Sequence, residues 1–148
     1  MRFIATLLML SSLLFAYQKG DSLDSQIVQK LNLQSNKVYV IDFFASWCGS
    51  CKKELPLISQ LNNRLDSDFV EVVGIDADES LSKGKAFQRE MNLQFRVVDD
   101  PTGAIIKLFD PIGMPAVYII KDERVADVIF GAKNHIDKQI ESIINSLE

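Results

Sequence analysis

Hydrophobic and polar residues follow one another along this chain in blocks whose period changes from segment to segment. Val38 to Phe44 is β-branched and aromatic with a single charge, Asp42, inside it, a run suited to a strand buried on both faces. Ala45, Ser46 and Trp47 carry the chain out of that strand. From Cys51 the period becomes helical, with Leu55, Ile58, Leu61 and Leu65 at three- and four-residue spacing. Pro56 falls inside this helix and is expected to kink it, because it lacks the amide hydrogen and its ring crowds the preceding turn. Upstream, Ile27, Val28, Leu31 and Leu33 predict a first helix from about Asp24, and Ser35-Asn36-Lys37 turns into the central strand.

Downstream, Phe69 to Ile75 reads as a second strand, and strand, helix, strand implies a right-handed crossover with the two strands parallel. A further helix, about Leu81 to Met91, and a short strand, Phe95 to Val98, precede Asp99-Asp100-Pro101-Thr102-Gly103, which leads into a helix ending near Phe109. Ala116 to Ile120 is strongly apolar, and Lys121-Asp122-Glu123 turns it back into a last strand, Arg124 to Phe130. Ile136, Ile140, Ile143, Ile144 and Leu147 give one face of a final helix, with His135 near its start as a solvated surface residue.

Composition narrows the classes of function. The chain has 148 residues, 47% hydrophobic and 24% charged, which is enough for one globular domain with a real core. A net charge of −4 argues against nucleic acid as a partner, since phosphate contacts call for a basic face. Arg2 followed by the apolar stretch Phe3 to Ala16 is short for a bilayer span but fits a secretory signal or an amino-terminal anchor. The expected organisation is therefore residues 1–16 as signal peptide or anchor, 17–23 as a short tether, and 24–148 as the folded domain.

Only two cysteines occur, Cys48 and Cys51, at the junction of the central strand and the next helix. There the free backbone amides and the helix dipole favour an anion, which lowers the Cys48 thiol pKa; Cys51 lies one turn on, less exposed and within reach of a disulfide. A purely structural role is a poor fit, because closing so short a loop constrains little chain. Zinc needs about four ligands, and only the distant His135 could join the pair. Haem attachment needs His directly after the second cysteine, where this chain has Lys52. What remains is redox chemistry, and export would place the pair in an oxidising compartment.

Two carboxyls bear on it. Asp42, in the middle of an apolar strand, is expected to have a raised pKa, and an acid under the cysteines could accept the Cys51 proton. Glu54, three residues after Cys51, shares its helical face, which brings it towards the thiols unless it is an exposed first-turn glutamate.

The stretch from Val38 to Pro56 resembles the thioredoxin superfamily in more than its C-x-x-C: Asp42 stands at the place of the buried acid, Trp47 at that of the preceding tryptophan, and Pro56 at the helix kink. Ile112-Gly113-Met114-Pro115 is similar to the cis-proline segment, and Gly131-Ala132 to the glycine turn before the last helix. The resemblance covers about Asp24 to Leu147. It implies an α/β thioredoxin fold, a central mixed sheet flanked by helices, and the extra helix and strand before the cis-proline segment, followed by D-P-T-G, are similar to the TlpA/ResA-like branch. By the same resemblance Met114-Pro115 would be cis, Met114 would offer backbone hydrogen bonds to an extended substrate peptide, and Trp47, Gly113, Met114, Pro115 and Gly131 would line the docking groove. Cys48 and Cys51 would be catalytic, with Asp42 and Glu54 handling the proton and no cofactor beyond the redox-active disulfide. One departure is that Phe69 to Ile75 carries no lysine, where cytosolic thioredoxins place one beside the buried acid.

The branch further implies an exported, periplasmic or otherwise extracytoplasmic protein, possible substrates among disulfide-containing exported proteins such as apocytochrome c, and re-reduction by a membrane thiol donor of the DsbD/CcdA kind. Rival readings are a general disulfide oxidant or isomerase, since Gly49-Ser50 does not settle direction, and a copper chaperone holding Cu(I) on two thiolates. The copper-binding class with this fold uses a wider cysteine spacing and a nearby histidine, both missing here. A peroxidase is a poorer fit still, because Trp47-Cys48-Gly49-Ser50-Cys51 lacks the Thr-x-x-Cys setting that peroxiredoxins use.

Overall fold

A computed structural model describes residues 16–148; the expected signal or anchor, residues 1–16, lies almost wholly outside the described residues. The elements run in the order α1 (Ser25–Lys30), β1 (Val38–Phe44), α2 (Gly49–Asn62), β2 (Val70–Asp76), α3 (Leu81–Glu90), β3 (Arg96–Asp99), α4 (Ala104–Phe109), β4 (Ala116–Lys121), β5 (Arg124–Phe130) and α5 (Ile136–Asn145).

The strands form one sheet in the order β3-β2-β1-β4-β5. β1, β2 and β3 are parallel, whereas β4 runs antiparallel to both β1 and β5, so the sheet is mixed. β1 lies at its centre and is buried along its whole length, as an apolar run without alternation requires. Side chains of a strand point to opposite faces in turn. Val38, Val40 and Phe44 accordingly pack with Leu55, Ile58 and Leu61 of α2 and Ile136, Ile140 and Ile144 of α5. Tyr39, Ile41 and Phe43 pack with Ile27 and Leu31 of α1 and Ile105 and Phe109 of α4. Asp42 falls in register with Gly74 of β2 and Val117 of β4, on the α2 side.

The short turn between β4 and β5 places Asp122 and Glu123 at φ 50° and 59°, the left-handed geometry that matches the twist of a two-residue hairpin. Residues 17–23, expected as a tether, are tied to the domain. Gly20 and Leu23 donate backbone bonds to Val125 and Glu123 (both 2.8 Å), Val125 donates back to Asp21 (2.9 Å), and the Tyr17 ring meets Phe109 edge-on. The pairing is possible because β5 is the sheet's edge and its outer backbone groups are otherwise without partners.

The extra unit α3–β3 extends the sheet beyond β2. Its close seat depends on Gly84, where a Cβ would lie 2.6 Å from Asp76 Oδ2. Glycine within a helix usually costs about 1 kcal/mol against alanine; here alanine would force α3 or the buried Asp76 carboxyl to move. Gly84→Ala is therefore expected to lower stability by about 1–3 kcal/mol despite its better helix propensity, as read by urea denaturation. An equal or higher midpoint would contradict this packing.

Candidate active site

Both cysteines sit where β1 hands over to α2. Cys48 is the residue that caps α2, in extended backbone conformation, and its Sγ accepts the Cys51 N–H at 3.2 Å. Sulfur thus fills the place usually taken by a serine or aspartate oxygen at a helix start. Cys48 and Cys51 are joined by a disulfide, with Cα atoms 5.2 Å apart. Cys48 is 7% exposed and Cys51 1%, so only the first presents an edge to solvent. The helix begins at Gly49, two residues before the expected Cys51, because the cap lies at Cys48.

Asp42 is buried to 1% and Glu54 to 3%. Neither Glu54 oxygen, nor Asp42 Oδ1, has a hydrogen-bond partner among the described residues. Burial raises the Asp42 pKa well above the ordinary carboxyl value, and the nearby Glu54 charge raises it further. Burial likewise pushes Glu54 up to about 7, with the nearby charge of Lys133 partly opposing it. Glu54 is therefore covered, not the exposed first-turn glutamate that its position also allowed. Lys133, from the loop between β5 and α5, acts on Glu54 and not on Asp42, so the place beside the buried acid where cytosolic thioredoxins have a lysine keeps no cation among the described residues. Nothing in the local pattern around Lys133 pointed to it.

On the other side of the cysteines the Met114–Pro115 peptide bond is cis. Pro115 is buried, Met114 half-buried and Gly113 exposed. Met114 makes no backbone hydrogen bond among the described residues, whereas Pro115 O accepts the Gly131 N–H at 2.9 Å. Gly131 has φ 74°, a left-handed turn that glycine adopts without strain. Trp47, Gly113 and Met114 share a cleft of about 430 Å³ with Ile106, Asp110 and Pro111. Gly131 stands apart from that lining and reaches the site only through its bond to Pro115. Trp47 and Ile112 are 69% and 79% exposed, a considerable apolar surface to leave beside a cleft.

Two residues not singled out from the sequence hold the approach to Cys48. Asp78, two residues past the end of β2, accepts both the N–H and the hydroxyl of Ser46, at 2.8 and 2.7 Å. The available signal was the pair of acids Asp76 and Asp78 at the carboxyl end of a parallel strand, the edge where α/β sheets place their sites. Among the described residues no group of three or more His, Cys, Asp or Glu is gathered to hold a metal, and no helix is long and apolar enough to cross a membrane.

A curated protein named thiol-disulfide oxidoreductase ResA, from Bacillus thuringiensis subsp. konkukian, is 32% identical over 106 residues, 70% of this chain and 61% of its own length. The chain thus spans about three fifths of the curated relatives it matches first. A putative thiol:disulfide interchange protein DsbE from Chlorobium tepidum has the same fold, with a TM-score of 0.76 at 23% identity over 88% of this chain and 98% of its own. StoA from Bacillus subtilis superposes with a TM-score of 0.67 at 22% identity, over 74% and 84% of the two chains. The mixed sheet, the cysteines at its carboxyl edge and the cis-proline segment facing them are thus an α/β thioredoxin-like fold, and, with its family model matching residues 15–128, the chain belongs to the AhpC/TSA family.

Proposed function

We propose that this chain is an exported thiol:disulfide oxidoreductase that reduces disulfides in exported proteins, with apocytochrome c as the substrate class. The observation that carries the reading is the Cys48–Cys51 disulfide at the α2 cap above two buried carboxyls, Asp42 and Glu54. In the reduced state the α2 amides and the helix dipole stabilise a Cys48 thiolate. That thiolate attacks one sulfur of the substrate disulfide; the substrate S–S bond breaks, a Cys48–substrate bond forms, and the departing thiolate takes up a proton. Meanwhile the substrate chain lies extended against Met114, whose backbone N–H and C=O are free to pair.

Cys51 then gives its proton to Asp42 or Glu54 and attacks Cys48 Sγ, breaking the mixed disulfide. Two electrons have passed to the substrate, and the Cys48–Cys51 bond has re-formed. A carboxyl with a pKa near 7 is suited to this step, since it accepts a proton from a thiol and returns it near neutrality. No further cofactor is needed. Because the surroundings are oxidising, the pair is re-reduced by a membrane thiol donor of the DsbD/CcdA kind, and residues 1–16 serve as signal or anchor.

Support for the activity comes from the name thiol-disulfide oxidoreductase ResA carried by relatives 32% identical to this chain; the cytochrome substrate rests on analogy. A peroxidase reading is disfavoured because Ala45 stands where the Thr of Thr-x-x-Cys would be. Equilibration with defined thiol buffers tests the direction. A reduction potential near that of thioredoxin, roughly −270 mV, supports a reductant. One near that of a DsbA-type oxidant, about −120 mV, would turn the same geometry into a disulfide donor.

A further inference from the structure

Ala45, Ser46, Trp47 and Cys48 form a turn closed by the Cys48 N–H on the Ala45 carbonyl at 3.1 Å. Ser46 is the second residue of that turn, and the buried Asp78 carboxylate, 5% exposed, grips it through both of its polar groups. Asp78 is itself held. Its N–H donates to Asp76 Oδ1 at 2.9 Å, and Asp76 Oδ2 accepts Gln88 Nε2 of α3 at 2.7 Å. The same Gln88 nitrogen reaches Asp99 Oδ1 of β3 at 2.8 Å, and Lys85 pairs with Asp99 at 2.7 Å. A chain of polar contacts therefore runs from the added α3–β3 unit to the residue two before Cys48.

The turn has a second tenant. Trp47 stands between the apolar cleft next to Met114 and another cavity of about 440 Å³ lined by Ser46, Asp78, Glu79 and Lys83. A ring this exposed has little packing of its own to orient it, so its place depends on the backbone on either side.

We propose that Asp78 is a positioning residue for the exchange reaction: by clamping Ser46 it fixes the Ala45–Cys48 turn, keeping Cys48 at the cap of α2 and Trp47 upright between the two clefts. The proposal rests on the exchange reading for its purpose. Cys48 can use the α2 amides only while its sulfur is at the cap, and a two-point clamp on Ser46 removes the freedom through which the turn could swing away. The α3–β3 unit then contributes to the site by holding the clamp, without touching the cysteines.

The test compares Asp78→Ala with Asp78→Asn, which lack the charge equally. Asn keeps an oxygen for the Ser46 N–H and an amide for its hydroxyl. The readout is the pH profile of Cys48 alkylation by iodoacetamide in the reduced protein, with thermal unfolding recorded alongside. The alkylation midpoint of Asp78→Ala is expected about one pH unit above that of Asp78→Asn, with thiolate at neutral pH reduced about five- to tenfold. Coincident Ala and Asn profiles would overturn the proposal, even if both variants are less stable. Should Asp78→Ala not fold, Ser46→Ala decides: it removes one bond at a half-buried residue, is expected to lower the neutral-pH thiolate about twofold, and an unchanged profile would again overturn the clamp. Alkylation needs no protein substrate, so a wild type without disulfide reductase activity would sink the exchange reading and still leave the clamp measurable.

Discussion

Replacing Cys51 with serine should convert the protein into a trap, because Cys48 would still attack a disulfide but nothing could release the product. In the structure Cys51 is 1% exposed and lies directly behind Cys48, so no outside thiol substitutes for it easily. Incubation of reduced Cys51→Ser with a disulfide-bearing protein is expected to accumulate a covalent adduct, visible on a non-reducing gel and dissolved by dithiothreitol. Cys48→Ser should form none, and its turnover with insulin should fall by roughly three orders of magnitude or more, since the hydroxyl is far less acidic than the thiol. Adducts forming equally well through Cys51 in the Cys48→Ser variant would reverse the roles assigned to the two cysteines. An absence of adducts from either variant would remove exchange chemistry from the protein altogether.

The second large effect concerns the two carboxyls and runs in opposite directions for stability and rate. Glu54 has a pKa raised from 4.5 to about 7 in the folded chain. A carboxyl with a raised folded pKa binds more protons folded than unfolded between those two values, so stability falls as pH rises through that window. Asp42 is shifted the same way, chiefly by burial, with the Glu54 charge adding to it. The oxidised wild type should therefore be more stable at pH 5 than at pH 8, with Glu54 responsible for on the order of 2 kcal/mol after allowance for solvent screening. Glu54→Gln should shrink that difference while slowing release of the mixed disulfide near neutral pH. A wild type whose denaturation midpoint is flat or rises from pH 5 to pH 8 would contradict the burial of an ionisable Glu54. An unaltered release rate would leave the proton step to Asp42 alone, with Asp42→Asn as the variant to show it.

Local pattern made much of this architecture readable, for reasons visible in particular residues. β1 is buried on both faces, so its limits coincide with the apolar run from Val38 to Phe44. The final helix has a single apolar stripe, and its start at Ile136 followed from that. Where long-range partners decide, the reading slipped by a residue. β3 was expected at Phe95 to Val98 and occupies Arg96–Asp99, because its ends are set by pairing with Val73 to Asp76 and by the contacts of Asp99 with Lys85 and Gln88. The α2 start was placed late since a cysteine is not among the usual helix caps.

At the site, the cysteines and Asp42 stood out locally, Asp42 as a charge in an apolar strand, whereas a proline before a strand reads by composition as an ordinary trans edge residue and the cis Met114–Pro115 bond was expected only through the thioredoxin resemblance. The Asp78–Ser46 clamp was not legible, since its partners are 32 residues apart and neither is unusual where it stands. Glu54 shows the same limit in another form. Helical spacing put it on the right face, but its burial depends on the rest of the fold around α2, including Lys133 of the loop after β5.

The lead-in segment stitched along β5 carries a last consequence. A protein that handles disulfides meets chains that are still partly unfolded, and any bare strand border is an invitation to stick to them. The start of one border of this sheet is covered by the chain's own Asp21–Leu23, bonded to Glu123 and Val125. The other ends in a strand of only four residues. A truncation that begins beyond Leu23 should bare the start of β5 and yield a protein more prone to aggregate, as read by light scattering.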